Sequence, residues 1–349
     1  MLFLPLKKKK LEREANKLKI AIDAMGGDDA PQEIVKGTVE ASQNTDAELV
    51  LVGQEKVIAD ELAHYEYNQQ QIRIEPASQV ITMDESPTRA LRQKKDSSIV
   101  IGSNLVADNQ ADAFVSAGST GAVMAAATFN IGRIKGVKRP AIGTVFPALK
   151  GQTLLLDAGA NVDSKAINLE QQALMGQVYM KEIFAISNPS IGLLSIGEEK
   201  KKGNKLTKAT YELLEDRKNL NFVGNVEGRD IFTGEFDVVV CDGFVGNVVL
   251  KTVEGLVKTI FKLLKNEVQK SWLAKIGGLF LKPVLKRLQQ KLDYTEYGGA
   301  PLLGIDGVTI ISHGSSNAKA IANAINNAEE AAAANLPELI KADIDEGTD

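Results

Sequence analysis

Four lysines, Lys200, Lys201, Lys202 and Lys205, surround Gly203 and Asn204 just past the apolar run IGLLSIG. Cations crowded around a shaped turn suit a small dianion. Lys202 beside Gly203 is the preferred ligand for a phosphate or an oxyanion, because Gly203 and Asn204 form a turn into a helix over 206–214. Lys200 and Lys201 read more simply as a solvated charge run. Glu198 and Glu199 either orient the lysines or face water. Asn247, in DGFVGN, can donate its amide to a developing oxyanion at a helix start, or cap that helix. Asp242 caps the helix, anchors the same turn or accepts a proton from a bound anion, and His313, beside Gly314 and Ser315, either moves a proton or is a hydrogen-bonded structural residue. Lys202, Asn247, Asp242 and His313 form the candidate catalytic set.

Around them stand residues that can hold an anion without reacting. In KIAIDAMGGDDAP, Asp23 ends an apolar run and Gly26, Gly27 and Asp28 form a turn whose peptide N–H groups can point inward, while Asp29 is expected to cap the helix that Pro31 begins. Ser119, Thr120 and Gly121 can cradle an anion or simply start a helix. Asp157 and Asn161 flank Gly159, and Gly243 and Gly246 bracket the turn before Asn247. The single cysteine, Cys241, follows VVV and reads better as a buried strand end than as an acyl-enzyme nucleophile, and His64 lies in a helical AHYEY pattern away from any such turn. One cysteine and two histidines exclude a disulfide framework and a Cys/His zinc site within the chain, and suit a reducing cytoplasm.

The elements that must carry these residues are short, nearly continuous apolar runs alternating with helical patterns: LKIAIDA, AELVLVG, QIRIEP, DAFVSAG, AIGTVF, TLLLDAG, SIGLLSIG, FDVVVCDG and GVTIISHG. Such runs are buried on both faces, so the expected fold class is α/β: three layers, α/β/α, around a largely parallel sheet. Six of the polar or glycine turns follow these runs, after residues 23, 116, 157, 195, 241 and 311, and ligands gather at strand C-terminal ends. Six turns on one sheet suggest a shared cleft.

DAMGGDDAP, SAGSTGA, LLDAGAN, IGEEKKKGN, DGFVGNVVLKTVEG, YGGAPLLG and HGSS resemble, in order, the motifs of the phosphate acyltransferase family called PlsX, over about residues 18 to 330. Asp29 stands where many relatives carry histidine. The resemblance implies a fold like that of isopropylmalate dehydrogenase and phosphotransacetylase. It implies that inorganic phosphate attacks the thioester of acyl-acyl carrier protein, giving acyl phosphate and free carrier, an early step of bacterial phosphatidic acid and phospholipid synthesis. Phosphate is then the nucleophile, so no Ser or Cys nucleophile, cofactor, metal or nucleotide is required; a leaving thiolate is the group that His313 could protonate, if it is not structural. A homodimer and peripheral membrane association are also implied. The alternatives are a phosphotransacetylase-like acyl-CoA:phosphate transferase, a metal-dependent decarboxylating dehydrogenase, which would need an aspartate cluster and a nicotinamide site, and a non-enzymatic carrier or membrane scaffold.

Composition is that of a soluble globular protein: 349 residues, 44% hydrophobic, 25% charged, net charge −4, and no signature for nucleic acid. The charge is uneven. Residues 251–297 form a basic amphipathic arm, in which ten Lys or Arg face two Glu between Lys251 and Lys291 (10 − 2 = +8). Trp272, Leu273, Ile276, Leu279 and Phe280 recur at helical spacing with Lys282, Lys286 and Arg287 interleaved, and Gly277, Gly278 and Pro283 are expected to break the helix into a projecting hairpin with a bent tip. The stripe can pack in the core, seal a dimer seam, lie on an anionic membrane or receive the acidic carrier. Residues 1–18 read as a leader, 19–335 as one catalytic domain and 336–349 as an acidic tail. The expected location is the cytoplasm, at the inner face of the cell membrane.

Overall fold

The computed structural model describes residues 17–292 and 298–346; the leader up to residue 16, the arm's last five residues and the final three of the tail lie outside the described residues. The strands are β1 (Lys19–Asp23), β2 (Glu48–Gly53), β3 (Ile72–Pro76), β4 (Ala113–Ser116), β5 (Ala141–Pro147), β6 (Gln152–Leu156), β7 (Ser190–Leu194), β8 (Asn221–Val226), β9 (Val238–Val240), β10 (Ala300–Leu303) and β11 (Val308–Ile311). They join one sheet in the order β3-β2-β1-β4-β11-β10-β5-β6-β9-β7-β8. All nine expected runs are strands; β8 and β10 are additional.

The helices are α1 (Gln32–Ser42), α2 (Glu55–Leu62), α3 (Pro87–Gln93), α4 (Ser98–Ala107), α5 (Thr120–Ala126) and α6 (Ala166–Ile183). Then come α7 (Lys205–Asp216), α8 (Gly243–Gln269), α9 (Trp272–Leu292), α10 (Ala318–Ala333) and α11 (Leu336–Glu346). Strand alternation divides the core between the two faces. Ile20, Leu49, Val115, Leu154 and Val240 pack under α1, α6 and α10, whereas Ala21, Val50, Phe114, Leu155 and Val239 face α4, α5 and the start of α8. The expected three-layer α/β/α architecture is present. The stretch read as an acidic tail is largely helix α11, whose Leu336, Ile340 and Ile344 are buried in the core; their four-residue spacing is an apolar stripe that the acidic composition masked.

The sheet is not parallel throughout. Pairs β11–β10, β10–β5 and β5–β6 are all antiparallel, while β3-β2-β1-β4-β11 and β6-β9-β7-β8 are each parallel blocks. Three successive reversals leave the second block running opposite to the first.

The arm is the hairpin of α8 and α9, but its break falls at Lys270 and Ser271. There Ser271 Oγ accepts from Ala274 N at 3.4 Å, beginning α9, which runs on through both glycines and Pro283. Gly278 instead permits close packing: a Cβ there would lie 2.8 Å from Val268 Cγ1 of α8. Along α9 the apolar stripe is bare, with Trp272 69% and Phe280 78% exposed, so it does not pack in this chain's core. No described helix is long and apolar enough to cross a membrane.

Candidate active site

The reversal decides where the six turns lie. Those after β1, β4 and β11 stand at one edge of the sheet, those after β6, β7 and β9 at the opposite edge, so the single row of strand ends expected from the sequence is two rows of three.

At the first edge the turns are locked to one another. Buried Asp23 accepts from Met25 N (3.1 Å) and Ser116 Oγ (2.7 Å), and Ser116 Oγ in turn accepts from Gly118 N (3.0 Å). Burial pushes the Asp23 carboxyl up, against the opposing hydrogen bonds from Ser98, Ser116 and the Met25 and Gly26 amides. Gly26 is obligatory here, since a Cβ would fall 2.4 Å from Asp23 Oδ2 and 2.7 Å from Gly118 N. Gly27 has φ +121°, and Asp28 N donates to Gly314 O at 2.7 Å, tying the DAMGGD turn to the HGSS turn. Asp23 is thus a clamp between turns rather than a ligand. Asp29 does not cap α1 by its side chain: Pro31 occupies the N-cap position, and only the Asp29 carbonyl is used, accepting from Glu33 N at 3.1 Å. Gly121 makes room for Pro87, whose Cγ would be 2.8 Å from an added Cβ. Ser119 precedes α5 without a side-chain cap bond, and Thr120 is exposed. Exposed His313 accepts from Ser315 N at Nδ1 (3.2 Å), with Ser315 Oγ 2.8 Å from the same atom, so in the neutral ring the proton is on Nε2.

At the second edge most of the polar residues have structural work. Asp157 Oδ1 accepts from the backbone N of Ile142 (3.2 Å), Gly159 (3.0 Å) and Ala160 (2.8 Å), and Oδ2 from Asn161 N and Nδ2 (2.8 Å each). Asn161 Nδ2 also donates to Pro140 O at 2.7 Å. A buried carboxylate collects the nearest N–H groups, which leaves Asp157 and the Asn161 amide protons without capacity for phosphate or a pantetheine amide. Gly243 N donates to Asn161 O at 2.8 Å, and a Cβ on Gly246 would stand 1.9 Å from Asp157 O, so only glycines let α8 start against this loop. Asp242 caps α8 through Oδ1, accepting from Phe244 N and Val245 N at 3.1 Å each, and Asn204 caps α7, accepting from Thr207 N at 2.9 Å. Both take the helix-cap role through Oδ1. Gly203, at φ +107°, has no room for a Cβ beside Thr207 Oγ1 (2.1 Å) and Ser195 Oγ (2.8 Å).

Asn247 and, in the lysine-rich turn, Lys201, Lys202 and Lys205 keep their polar groups uncommitted among the described residues. The exposed Asn247 carboxamide makes no hydrogen bond to another described residue and lies beside Gly159, where an added Cβ would be 3.6 Å from its Oδ1. Lys202 is exposed and has no ion pair among the described residues, with its stem packed over Gly197. Lys200, by contrast, pairs with Glu215 and lies 5.2 Å over the Tyr211 ring. β7 and β9 are neighbours, so Lys202 and Asn247 follow adjacent strands. Glu198 turns toward Arg229 (3.7 Å) rather than the lysines. Among the described residues one carboxylate trio lies close enough to share a cation, Glu198, Glu227 and Asp230 within 4.8 Å, and Arg229 bridges all three. Cys241 is buried, and burial with the nearby Asp157 and Asp242 charges holds its thiol well above the ordinary range, which leaves no thiolate for attack.

Sequence reasoning missed Ser195 and Asn225. Buried Asn225, near the end of β8, donates from Nδ2 to Glu199 O at 3.0 Å and so holds the lysine-rich turn, while its Oδ1 and the Ser195 Oγ are buried without a partner among the described residues. The Ser195 position inside the SIGEEKKKGN turn was a usable signal.

A family model described as "Fatty acid synthesis protein" matches residues 18–339. The phosphate acyltransferase of Halothermothrix orenii is 57% identical over 329 residues, covering 94% of this chain and 98% of that protein. The chain belongs to the phosphate acyltransferase family. A second such phosphate acyltransferase, from Pelotomaculum thermopropionicum, is 55% identical over 94% of this chain and 95% of its own length. The fold is shared more widely: a phosphotransacetylase from Streptococcus pyogenes superposes with a TM-score of 0.61 at 17% identity, covering 92% of this chain and 94% of that one. A phosphate acyltransferase must hold a phosphate dianion against an acyl donor and stabilise a tetrahedral oxyanion, tasks for a cation and an amide donor. An uncommitted lysine and an uncommitted carboxamide at neighbouring strand ends fit those tasks; the clamped carboxylates do not.

Proposed function

We propose that the protein transfers the acyl group of acyl-acyl carrier protein to inorganic phosphate, releasing acyl phosphate and the carrier thiol. Lys202 holds the phosphate and Asn247 donates to the oxyanion of the tetrahedral intermediate, which collapses as the thiolate leaves. Ser119, Thr120 and His313 belong to the first edge, across the sheet from Asn247, and take no part at the reacting carbonyl; the thiolate leaves as such and takes its proton from water. The observation that carries this reading is that Lys202 and Asn247 are uncommitted, whereas Asp157, Asn161, Asp242 and Asn204 around them are engaged in caps and clamps. Purified protein with acyl carrier thioester is expected to release thiol only when phosphate is added, and hydroxylamine to trap the product as a hydroxamate. Release without phosphate dependence would overturn the assignment.

The arm supports a second part of the reading: a homodimer associated with the inner face of an anionic membrane. Its bare apolar residues are flanked by basic groups, the pattern of a helix seated at a lipid interface, and the same basic surface suits an acidic carrier. The product, a long acyl chain bearing a phosphate, is itself amphiphilic. Reversing Lys282, Lys286 and Arg287 to Glu is expected to reduce sedimentation with anionic vesicles at least about tenfold, at roughly 1 kcal/mol per basic group. Unchanged sedimentation would remove the membrane from this account.

A further inference from the structure

The second edge carries apolar side chains that no folding requirement explains. Val162 is 66% exposed, Ile196 79%, Phe244 61% and Val248 51%. Val162 follows Asn161 past β6, Phe244 and Val248 lie in the first turns of α8 past β9, and Ile196 follows Ser195 past β7. These three strands are adjacent, so the apolar groups stand over a strip about 10 Å wide. Phe244, Asn247 and Val248 are spaced i, i+3, i+4 and share one face of α8. Ile196 precedes Gly197, over which the Lys202 stem packs. An apolar rim therefore borders Lys202 and Asn247, while Val249, Leu250 and Val253 on the other face of α8 pack inward.

We propose that this rim seats the acyl chain of the donor, with Phe244 and Ile196 as the residues that favour long chains over short ones. The proposal rests on the acyl transfer reading above and names where the chain of its substrate lies. The occupant follows from chemistry: the family transfers acyl groups, the thioester carbon must reach Asn247, and the alkyl carbons next to it must then cross the side chains nearest that amide. Each methylene removed from water favours binding by roughly fourfold, so a donor with a long chain gains from the rim and a short one does not.

The test compares kcat/KM for palmitoyl and butyryl thioesters of the carrier protein in wild type, Phe244→Ala and Ile196→Ser. The palmitoyl-to-butyryl ratio is expected to fall about tenfold in each variant, through KM for the donor, with KM for phosphate unmoved. Leu149→Ser, an exposed apolar site in the β5–β6 turn at the opposite edge, is expected to leave the ratio as in wild type. Phe244→Leu, which retains most of the apolar area, guards against misfolding and is expected to restore the ratio. Equal loss for both donors, no loss, or loss accompanied by dissociation to monomers in light scattering would overturn the proposal, the last by making the rim a seam between copies. A wild-type protein that shows no phosphate-dependent turnover with either donor instead overturns the reaction, which separates the two failures.

Discussion

Lys202→Ala is expected to lower kcat/KM for phosphate by about 10²–10³-fold, and Asn247→Ala to lower kcat by a similar factor while leaving KM for phosphate near wild type. The expectation follows from what surrounds them. Lys202 has no carboxylate partner among the described residues, and the Asn247 amide no acceptor, so neither removal orphans a protein group and neither should unfold the chain. A hydroxamate assay across phosphate concentrations separates the two effects, and an unchanged melting temperature excludes a folding cause. Lys202→Arg should recover only part of the activity, because a planar guanidinium does not reproduce a compact point charge. If both groups act on one tetrahedral intermediate, the double variant loses less than the product of the single losses. More than a third of wild-type turnover in Lys202→Ala would remove that lysine from the site.

Asp157→Ala is expected to destabilise the fold by about 3–5 kcal/mol, since it leaves several N–H groups of a buried loop without an acceptor at roughly 1–3 kcal/mol each, partly offset by entering water. Urea unfolding measures this directly. Asp242→Ala, the loss of a helix cap, should cost only about 1 kcal/mol. The pH dependence has a definite sign. Burial, the larger influence, raises the folded-state pKa of Asp157 above its unfolded value, so the stability linked to its proton is complete below the unfolded pKa and is lost as pH rises through the folded one. Asp157→Ala removes that limb of the stability profile. Equal costs for the two variants would mean that Asp157 is no more than another cap.

The sequence showed which residue types would gather at strand ends, but not which ends face the same way. That depends on β10, a four-residue APLL run whose Pro301 speaks against a strand; without it nothing signals that β11 and β5 are bridged by a reversed neighbour. β8 was equally quiet, its NFVGNV carrying a glycine and two asparagines. At the site, Lys202 and Asn247 were legible as charge and amide beside glycine turns. The commitment of Asp157 and Asn161 was not, because their partners are largely backbone N–H groups, which every residue carries and no sequence pattern marks.

Helix α8 joins the site to the arm without a joint. Its 27 residues make a rod about 40 Å long. The near end is gripped by the Asp242 cap, by Gly246 against the Asp157 carbonyl and by Val249, Leu250 and Val253, while the far end stands clear of the core. Asn247 sits only about 6 Å from the gripped terminus. Treated as a lever pivoting there, the rod converts a sway of about 6 Å at its tip into a displacement of about 1 Å at Asn247, and the Val253 grip reduces that further. Jostling at the tip is thereby damped before it reaches Asn247.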